Sequence, residues 1–333
     1  MIRLKDMKIG SKLNLLLSLV MVVIFAVLSI YIINIQANKI YADTDLRMTE
    51  QVSDLVDLVT EDAKNNQKQL EITKKLALNY LNQENSIQIN SNRKQTLPTH
   101  DILSNSTSET KVNTWTIRNQ TIHNNYSYVD GIKETGLEAC AIFQLTPQGY
   151  ISISSSIMNE AGEREIGTLI PDKSPIAQAV SEQRNFQERS LLNDNWVINT
   201  YDPIVKNNQV VGLLLLRNLE LNRDALRPLF LKKKYFDSGY PFLVYADATM
   251  AIHPTLEGQN RAEEEYYLKM LATGQTSGKV YYQYKNRDKF LYFSKLETTY
   301  VITSIYVDEF LSIVKEMRLT FLIAFILAIV FFI

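Results

Sequence analysis

The chain of 333 residues is predicted to be an α+β membrane protein, with two membrane spans flanking a long helix and two antiparallel-sheet modules. Three observations predict this class. A long apolar run lies near each end of the chain. A stretch without Gly or Pro follows the first run, and two groups of alternating apolar and polar residues occupy the part between the runs.

The first apolar run, residues 13–33, predicts a transmembrane helix, because as a helix it measures about 30 Å. Arg3, Lys5, Lys8 and Lys12 precede it, so the positive-inside rule leaves residues 1–12 in the cytoplasm. A cleaved signal peptide is the alternative, but the run is longer than a signal core and no A-x-A-like site follows it. We therefore expect the chain to be extracytoplasmic from residue 34.

The second apolar run, residues 318–333, is about 22 Å long as a helix and is shorter than the hydrocarbon core. We expect this span to continue beyond Ile333 and the sequence to be a piece of a longer protein. The predicted topology is two-pass. Residues of about 34–317 lie outside, and the lipid bilayer is a partner.

A long extracytoplasmic helix is predicted from residue 34 to residue 90. Its apolar residues recur at steps of three and four, as at Val52, Leu55, Val56 and Val59. We expect this stripe to contact both the sheets of its own chain and the equivalent helix of a homodimer. A solvated stalk without a dimer contact is the alternative.

The segment from 82 to 135 is rich in Asn, Ser, Thr and Gln, and this composition predicts loops and short helices. Within it, residues 112–129 are expected to form a covering helix or a lid.

A β-hairpin follows, with Thr146-Pro147-Gln148-Gly149 as its turn. In its second strand Ile151 and Ile153 alternate with polar residues, so we expect the long helix to cover the Ile face and a small polar ligand to bind on the other face. A solvated polar face is the alternative. The candidate ligand-binding residues are Phe143, Tyr150, Ser152, Ser154, Arg164, Trp196, Asn199, Tyr201 and Asp202.

Several classes of function are disfavoured. The 35 basic and 36 acidic residues leave no basic footprint for nucleic acid. Cys140 is the single cysteine and the three histidines are scattered, so no metal site and no cofactor are predicted. No catalytic motif or cluster of catalytic carboxylates is recognisable, so we expect the chain not to be an enzyme.

The motifs of the first sheet group resemble those of the double-Cache sensory domains of bacterial chemoreceptors and sensor kinases, of the Cache 3–Cache 2 fusion type. The matching residues are Gly149-Tyr150, Gly162, Ile166-Gly167-Thr168, Tyr201-Asp202-Pro203-Ile204 and Val210-Val211-Gly212. The resemblance implies a PAS-like, membrane-distal Cache module over residues 91–218 that binds the ligand.

A second, membrane-proximal Cache module is implied over residues 219–308, after a connecting helix at about 219–236. Gly239-Tyr240 and His253-Pro254 match it. The sequence assigns His253 a structural role, because no Cys or carboxylate stands at ligand spacing from it, and Tyr281, Tyr282 and Tyr284 are expected to pack on a sheet face. Asp308 is expected to cap an exit helix, 309–317, that runs unbroken into the second span.

The resemblance implies a transmembrane chemoreceptor that passes a signal to a cytoplasmic methyl-accepting domain. The alternatives are the sensor region of a histidine kinase or diguanylate cyclase, and a ligand-free envelope interaction module. The expected ligand is an organic acid, an amino acid or a similar molecule. Where this chain has Ser152, the family often has an Arg that holds carboxylates, so Arg164, Arg184 or Arg189 supplies the charge here or the ligand is uncharged.

Overall fold

The computed structural model describes residues 9–123, 125–159, 161–193 and 195–332. It divides into two compact units, each built on one sheet. The first module is Val59–Asn222, and the second module comprises the described parts of Met1–Leu58 and Arg223–Ile333. Helix α1, Ile9–Leu81, contributes residues to both.

Among the described residues, one helix is long and apolar enough to cross a membrane, namely α1 from Lys12 onward. This finding supports the first predicted span only. The long helix is continuous as predicted, but it ends at Leu81, and residues 82–90 are not helical. The hydroxyl of Ser86 donates a hydrogen bond of 2.7 Å to the carbonyl of Leu81 and so satisfies a group at the helix end.

The first module contains a nine-stranded sheet in the order β3-β2-β1-β6-β5-β4-β9-β8-β7. Its strand pairs are antiparallel except for β1 and β6, which run parallel. The elements are β1 Ile87–Asp101, β2 Thr107–Ile117, β3 Gln120–Thr121, α2 Ser127–Lys133, β4 Ala139–Thr146, β5 Gly149–Ser155, β6 Thr168–Pro171, α3 Pro175–Ser181, β7 Phe186–Leu192, β8 Asn195–Lys206 and β9 Gln209–Leu219.

The prediction of loops and short helices between residues 82 and 135 is wrong for most of that segment. Strands β1 and β2 form a long antiparallel pair, and of the described residues in this segment only the seven of α2 are helical. Much of β1 is exposed, so its polar side chains stay in water while the backbone is satisfied by the ladder. Composition alone therefore misled the prediction.

The two faces of this sheet pack against different helices. Ile151 and Ile153 of β5 belong to a core cluster that includes Leu70 and Leu81 of α1, which confirms the predicted covering of the Ile face. Tyr150 lies in a separate cluster on the other face with residues of α3. Every residue of β5 is buried, so its polar face is not the solvated surface that was the alternative.

The second module contains a five-stranded antiparallel sheet in the order β11-β10-β14-β13-β12. The sequence predicts five strands here from runs rich in β-branched and aromatic residues, and all five are present; the runs are residues 242–246, 249–254, 280–284, 289–296 and 300–307. The elements are α4 Arg223–Leu231, β10 Tyr240–Tyr245, β11 Met250–Ile252, α5 Glu265–Ala272, β12 Ser277–Tyr284, β13 Arg287–Leu296, β14 Thr299–Tyr306, α6 Val307–Phe310 and α7 Ser312–Phe332.

The predicted capping by Asp308 is wrong. Tyr306 is the N-cap of α6, without a side-chain capping bond, and Asp308 lies inside the helix. Its carboxylate accepts from the guanidinium of Arg287 at 2.8 and 2.9 Å and is therefore held by the β13 strand rather than by a helix end. The helix is also interrupted at Leu311, so it does not run unbroken into α7.

Candidate functional site

Three of the predicted residues lie together on the α3 side of the first sheet. Phe143, Tyr150 and Tyr201 belong to one buried cluster with Ile176 and Ala177 of α3. Ser174 caps this helix, because its hydroxyl accepts from the backbone N–H of Ala177, and Pro175 is the first helical residue. The sequence order Ser-Pro therefore starts a short helix directly over the sheet.

The two predicted serines are buried on β5. The hydroxyl of Ser152 donates to the carbonyl of Glu165 at 3.2 Å and accepts from the N–H of Thr168 at 2.9 Å. It therefore joins β5 to the chain leading into β6 and is already saturated. Ser154 is 1% exposed, and its hydroxyl has no partner among the described residues.

The predicted arginines are all engaged in ion pairs. Arg164 binds Asp130 of α2 in a bidentate manner, at 2.7 and 2.8 Å, and stacks on Tyr126. It does not supply a free charge to a ligand. Arg184 pairs with exposed Glu182, and the guanidinium of Arg189 pairs with Glu220 at 2.7 Å.

A different arginine reaches the predicted polar residues. Arg217 of β9 donates to the amide oxygen of Asn199 at 2.7 Å, and the amide nitrogen of Asn199 donates to Ser190 at 2.8 Å. The sequence interpretation missed Arg217. The signal was present, because Arg217 alternates in step with Leu213 and Leu215 and is paired directly with Asn199.

Tyr201 lies on the same face and donates to Glu188 at 2.7 Å. Burial, and then this hydrogen bond, raise the pKa of Tyr201, so its phenol stays protonated. Together with the Arg217–Asn199 group, it forms a satisfied polar network on this face.

Two predicted residues lie on the opposite face of the sheet. Asp202 is paired with Leu214, which packs in the α1-side cluster, whereas Tyr201 is paired with Leu215 of the α3-side cluster. Trp196 stacks under the guanidinium of Arg189, 3.5 Å from its ring centroid. Because strand side chains alternate, neither residue shares a site with Tyr201. Burial raises the pKa of Asp202, and Lys74 of α1 partly offsets this effect.

A cavity of about 480 Å³ opens on the α3 side, at the turn end of the hairpin. Of the predicted residues, only Tyr150 lines it. The Tyr150 side chain is 1% exposed, its hydroxyl has no partner among the described residues, and burial raises its pKa to about 12. The other lining residues are Leu145, Gly149, Asp172, Ala177, Ser181, Gln183, Asn208, Gln209 and Val210.

Gly149 determines how closely the chain after β6 can approach this cavity. Its φ is +132°, and a Cβ atom there would lie 2.1 Å from the carbonyl oxygen of Ile170 and 2.8 Å from the nitrogen of Asp172. Only glycine fits at this position. The absence of its side chain lets the backbone bring Asp172 to the cavity rim.

The lining determines what the cavity can bind. Asp172 is the one charged side chain among the described lining residues, and its carboxylate forms no hydrogen bond or ion pair with the described part of the chain. The amides of Gln183, Asn208 and Gln209 add both donors and acceptors. No trio of His, Cys, Asp or Glu able to hold a metal ion occurs in the described ranges.

Comparisons with known proteins agree with this architecture. The family model of the Cache 3/Cache 2 fusion domain matches residues 34–320. No curated protein matches the chain.

Three of the solved structures to which this chain is similar are sensory or ligand-binding domains. That of the Campylobacter jejuni chemoreceptor Tlp3 with isoleucine bound is 12% identical, with a TM-score of 0.48 over 82% of this chain and 97% of that one. The periplasmic sensory domain of the C. jejuni chemoreceptor Tlp1 is 12% identical, with a TM-score of 0.44 over 81% and 98%. The ligand-binding domain of Mlp24 with asparagine is 13% identical, with a TM-score of 0.43 over 85% and 99%.

The match of the family model over most of the chain, together with the two sheets and the long helix, assigns the protein: it belongs to the Cache 3/Cache 2 fusion domain family.

Proposed function

We propose that this chain is the sensor region of a transmembrane chemoreceptor, which binds a small molecule in the first module and signals to a cytoplasmic methyl-accepting domain. Cache domains are extracytoplasmic, ligand-binding modules of membrane receptors. The observation that carries the proposal is the cavity of about 480 Å³ lined by Tyr150, whose buried hydroxyl has no hydrogen-bond partner among the described residues. A buried hydroxyl without a partner costs free energy, which a ligand that accepts its hydrogen bond would recover.

The ligand carries an ammonium group, as an amino acid or a small amine does. Asp172 provides a free carboxylate at the rim, and no Lys or Arg is among the described lining residues. Of the arginines that could have held a di- or tricarboxylate, Arg164 is paired with Asp130, and Arg217, whose Nε donates to Asn199, does not line this cavity. A carboxylate–ammonium hydrogen bond in a partly enclosed site is stronger than a neutral one.

The receptor spans the membrane twice, with residues of about 34–317 outside. The first span is α1, and the second is α7, whose residues are mostly apolar. Within the second module the two helices are neighbours, because the rings of Phe25 and Phe321 lie 6.4 Å apart. This pairing supports the two-pass arrangement in a bacterial inner membrane.

A homodimer forms along α1. Ile72 and Leu76 are exposed although they lie four residues apart on one helix face of the first module, 45% and 66% accessible. An equivalent helix would bury this pair. Ligand binding changes the signal only to the extent that the ligand has different affinities for two states of the receptor.

Two other outputs fit the same sensor, a histidine kinase and a diguanylate cyclase, because the Cache module is independent of the domain that follows. A ligand-free envelope interaction module is the remaining alternative. It requires the cavity to bind nothing, which gives the decisive test.

The test uses the complete chain in lipid nanodiscs and measures thermal unfolding with amino acids, amines and organic acids. A ligand that binds the folded state raises the unfolding temperature, and we expect amine-bearing compounds to do so. Asp172→Asn should weaken that binding by about tenfold or more, because a charged hydrogen bond is lost. Glu182→Gln is the matched control, since Glu182 is an exposed acidic residue next to α3 that does not line the cavity.

Two results would contradict the proposal. Absence of stabilisation by every compound favours the interaction module. If the ligand raises the unfolding temperature of the wild type and of Asp172→Asn equally, the carboxylate of Asp172 does not bind it.

A further inference from the structure

The second module has a small pocket of its own, on the sheet face that packs against α5. Its volume is about 40 Å³, enough for roughly three water molecules. The walls come from all five strands of the sheet, from α5 and from the segment after β11. The lining residues are Tyr240, Phe242, Met250, His253, Leu256, Arg261, Glu264, Tyr266, Tyr282, Tyr284, Lys289 and Ser304.

Lys289 brings a buried positive charge to this pocket. The residue is 3% exposed and makes no ion pair with any described residue. Its ammonium group lies 4.3 Å from the ring centroid of Tyr306 and 5.4 Å from that of Tyr284. Aromatic faces replace only part of the hydration that the charge has lost. Burial accordingly lowers the pKa of Lys289 to about 8.

The nearest carboxylate does not neutralise this lysine. Glu309 raises the pKa of Lys289 through its charge, but its oxygens are held elsewhere. They accept from Arg287 at 3.2 Å and from the backbone N–H groups of Asp237 and Ser238 at 3.1 and 3.0 Å. Lys289 is therefore a buried charge that forms no ion pair with any carboxylate of the described residues.

His253 was assigned a structural role from the sequence, and the structure shows what it does in the pocket wall. Its Nδ1 accepts from the backbone N–H groups of Thr255 and Leu256 at 3.1 and 3.2 Å. Burial lowers the pKa of His253 to about 4, so the ring is neutral at pH 7 and its proton is on Nε2. That nitrogen lies 3.3 Å from the hydroxyl of Tyr240 and donates to it, which leaves the Tyr240 proton free to be donated onward.

Further donors lining the pocket lack partners. The hydroxyl of Tyr266 and Nε of Arg261 are buried and have no hydrogen-bond partner among the described residues. Burial raises the pKa of Tyr266, so it remains an O–H donor. The one carboxylate of the lining, Glu264, accepts from Arg261 at 2.9 Å. The pocket thus has an excess of hydrogen-bond donors, and its one carboxylate, Glu264, is occupied by Arg261. The positive charge of Lys289 remains.

We propose that the second module binds a small monocarboxylate in this pocket, with Lys289 as counter-charge and Tyr240 and Tyr266 as hydrogen-bond donors. A carboxylate accepts at both oxygens, which matches a site rich in donors. The proposal is independent of the ligand of the first module, because all the residues that carry it belong to the second.

Size and polarity define the class more closely. A volume of about 40 Å³ admits acetate or propionate but not an amino acid with a long side chain. Phe242, Met250 and Leu256 give the pocket an apolar wall that fits a short alkyl tail. An ammonium ligand is disfavoured because it would face Lys289 with the same charge.

The experiment titrates acetate, propionate, chloride and methylammonium into the complete chain in lipid nanodiscs and records the heat of binding. Acetate or propionate should bind saturably, and methylammonium should not. Lys289→Met should abolish binding, and Tyr266→Phe should weaken it by about tenfold, since one hydrogen bond to a charged group is lost. Lys295→Met is the matched control on the same strand, because Lys295 is exposed and lies outside the pocket.

The possible results separate the explanations. Equal binding of acetate to the wild type and to Lys289→Met would overturn the proposal, as would saturable binding of chloride alone. Failure of every carboxylate to bind would overturn it as well. Asp172→Asn should leave acetate binding unchanged, so that failure of the first-module site and failure of this one are distinguishable. Thermal unfolding of each variant checks that it is folded.

Discussion

The first and second modules both place a cavity on the sheet face that carries a short helix, and α1 packs against the opposite face in each. The cavities nevertheless differ in size and charge. The cavity of the first module has a volume of about 480 Å³, and exposed polar residues and the free carboxylate of Asp172 border it. The pocket of the second module has a volume of about 40 Å³, and the buried residue Lys289 lines it.

The difference shows that the sheet architecture sets where a cavity forms but not its size or its charge. Each cavity has one charged side chain without an ion pair among the described residues, Asp172 in the first and Lys289 in the second, because the neighbours of a charged group determine whether it is free. Arg164 and Arg217 are cations of the first module, yet each is engaged by another residue of that module. Lys289 lacks a carboxylate partner among the described residues, so it dominates its pocket.

Gly149→Ala should destabilise the first module by about 3 kcal/mol or more, because the new Cβ would clash with Ile170 and the backbone φ of +132° strains any other residue. Denaturant unfolding followed by tryptophan fluorescence measures this module alone, since the two tryptophans of the chain, Trp115 and Trp196, both belong to it. Gly162→Ala is the control. It also has a positive φ but open space around it, and should cost about 1 kcal/mol. Equal losses in the free energy of unfolding for Gly149→Ala and Gly162→Ala would show that the close approach of the backbone at the cavity rim is unimportant.

Lys289→Met should raise the free energy of unfolding of the second module at pH 7 by about 1 to 3 kcal/mol without carboxylate present, because a buried charge is removed. Far-UV circular dichroism measures this change, and the tryptophan transition should not move. A loss of stability in this variant, with none in Lys295→Met, would show that the ammonium is already compensated.

The same lysine predicts a pH dependence. Its pKa is about 8 in the folded chain and near 10.5 in the unfolded chain, so the unfolded state binds the extra proton between these values. The free energy of unfolding of the wild type should therefore rise from pH 8 to about pH 10, and this gain should be lost as the pH falls back to 8. Lys289→Met should show no such rise. The ionisable groups that face or influence Lys289 are Tyr240, His253, Tyr282, Tyr284, Arg287, Tyr306 and Glu309.

Arg164→Gln should have a small effect, a loss of about 1 kcal/mol in the first module, because its bidentate pair with Asp130 is partly exposed. Binding of the amine ligand should not change. Arg184→Gln, which breaks a fully surface-exposed pair with Glu182, should cost close to nothing. A large loss of ligand affinity in Arg164→Gln would show that Arg164 contributes to the binding site.

Elements with strong periodicity were predictable, and elements with weak periodicity were not. The hairpin around Gly149, the short helix after Ser174 and the five strands of the second module follow from alternation and capping residues. Strands β1 and β2 were missed because most of their side chains are polar, and those of β1 are mostly exposed, so the pairing of two backbones decides their structure. The polarity of a sequence does not reveal such a partner.

The candidate site was predicted at the level of a face rather than of its residues. Alternation placed Tyr150 and Tyr201 on one side correctly, but Asp202 and Trp196 were added to the same site although they have the opposite parity. Asp172 and Arg217 were overlooked, because the importance of each depends on a residue distant in sequence. That residue is Gly149 for Asp172, and it is Asn199, across the ladder, for Arg217.

The sequence by itself determined the α+β class, the first apolar span, the long helix, the family motifs and the alternating faces of the sheets, since each is encoded by local spacing. Only the tertiary structure decided which charges are free. Arg164 is neutralised by Asp130, 34 positions earlier in the chain, whereas Lys289 is enclosed by aromatic rings and by a carboxylate already bound elsewhere. The availability of a charged group depends on the partners that folding brings within hydrogen-bond distance, and spacing along a chain does not specify them.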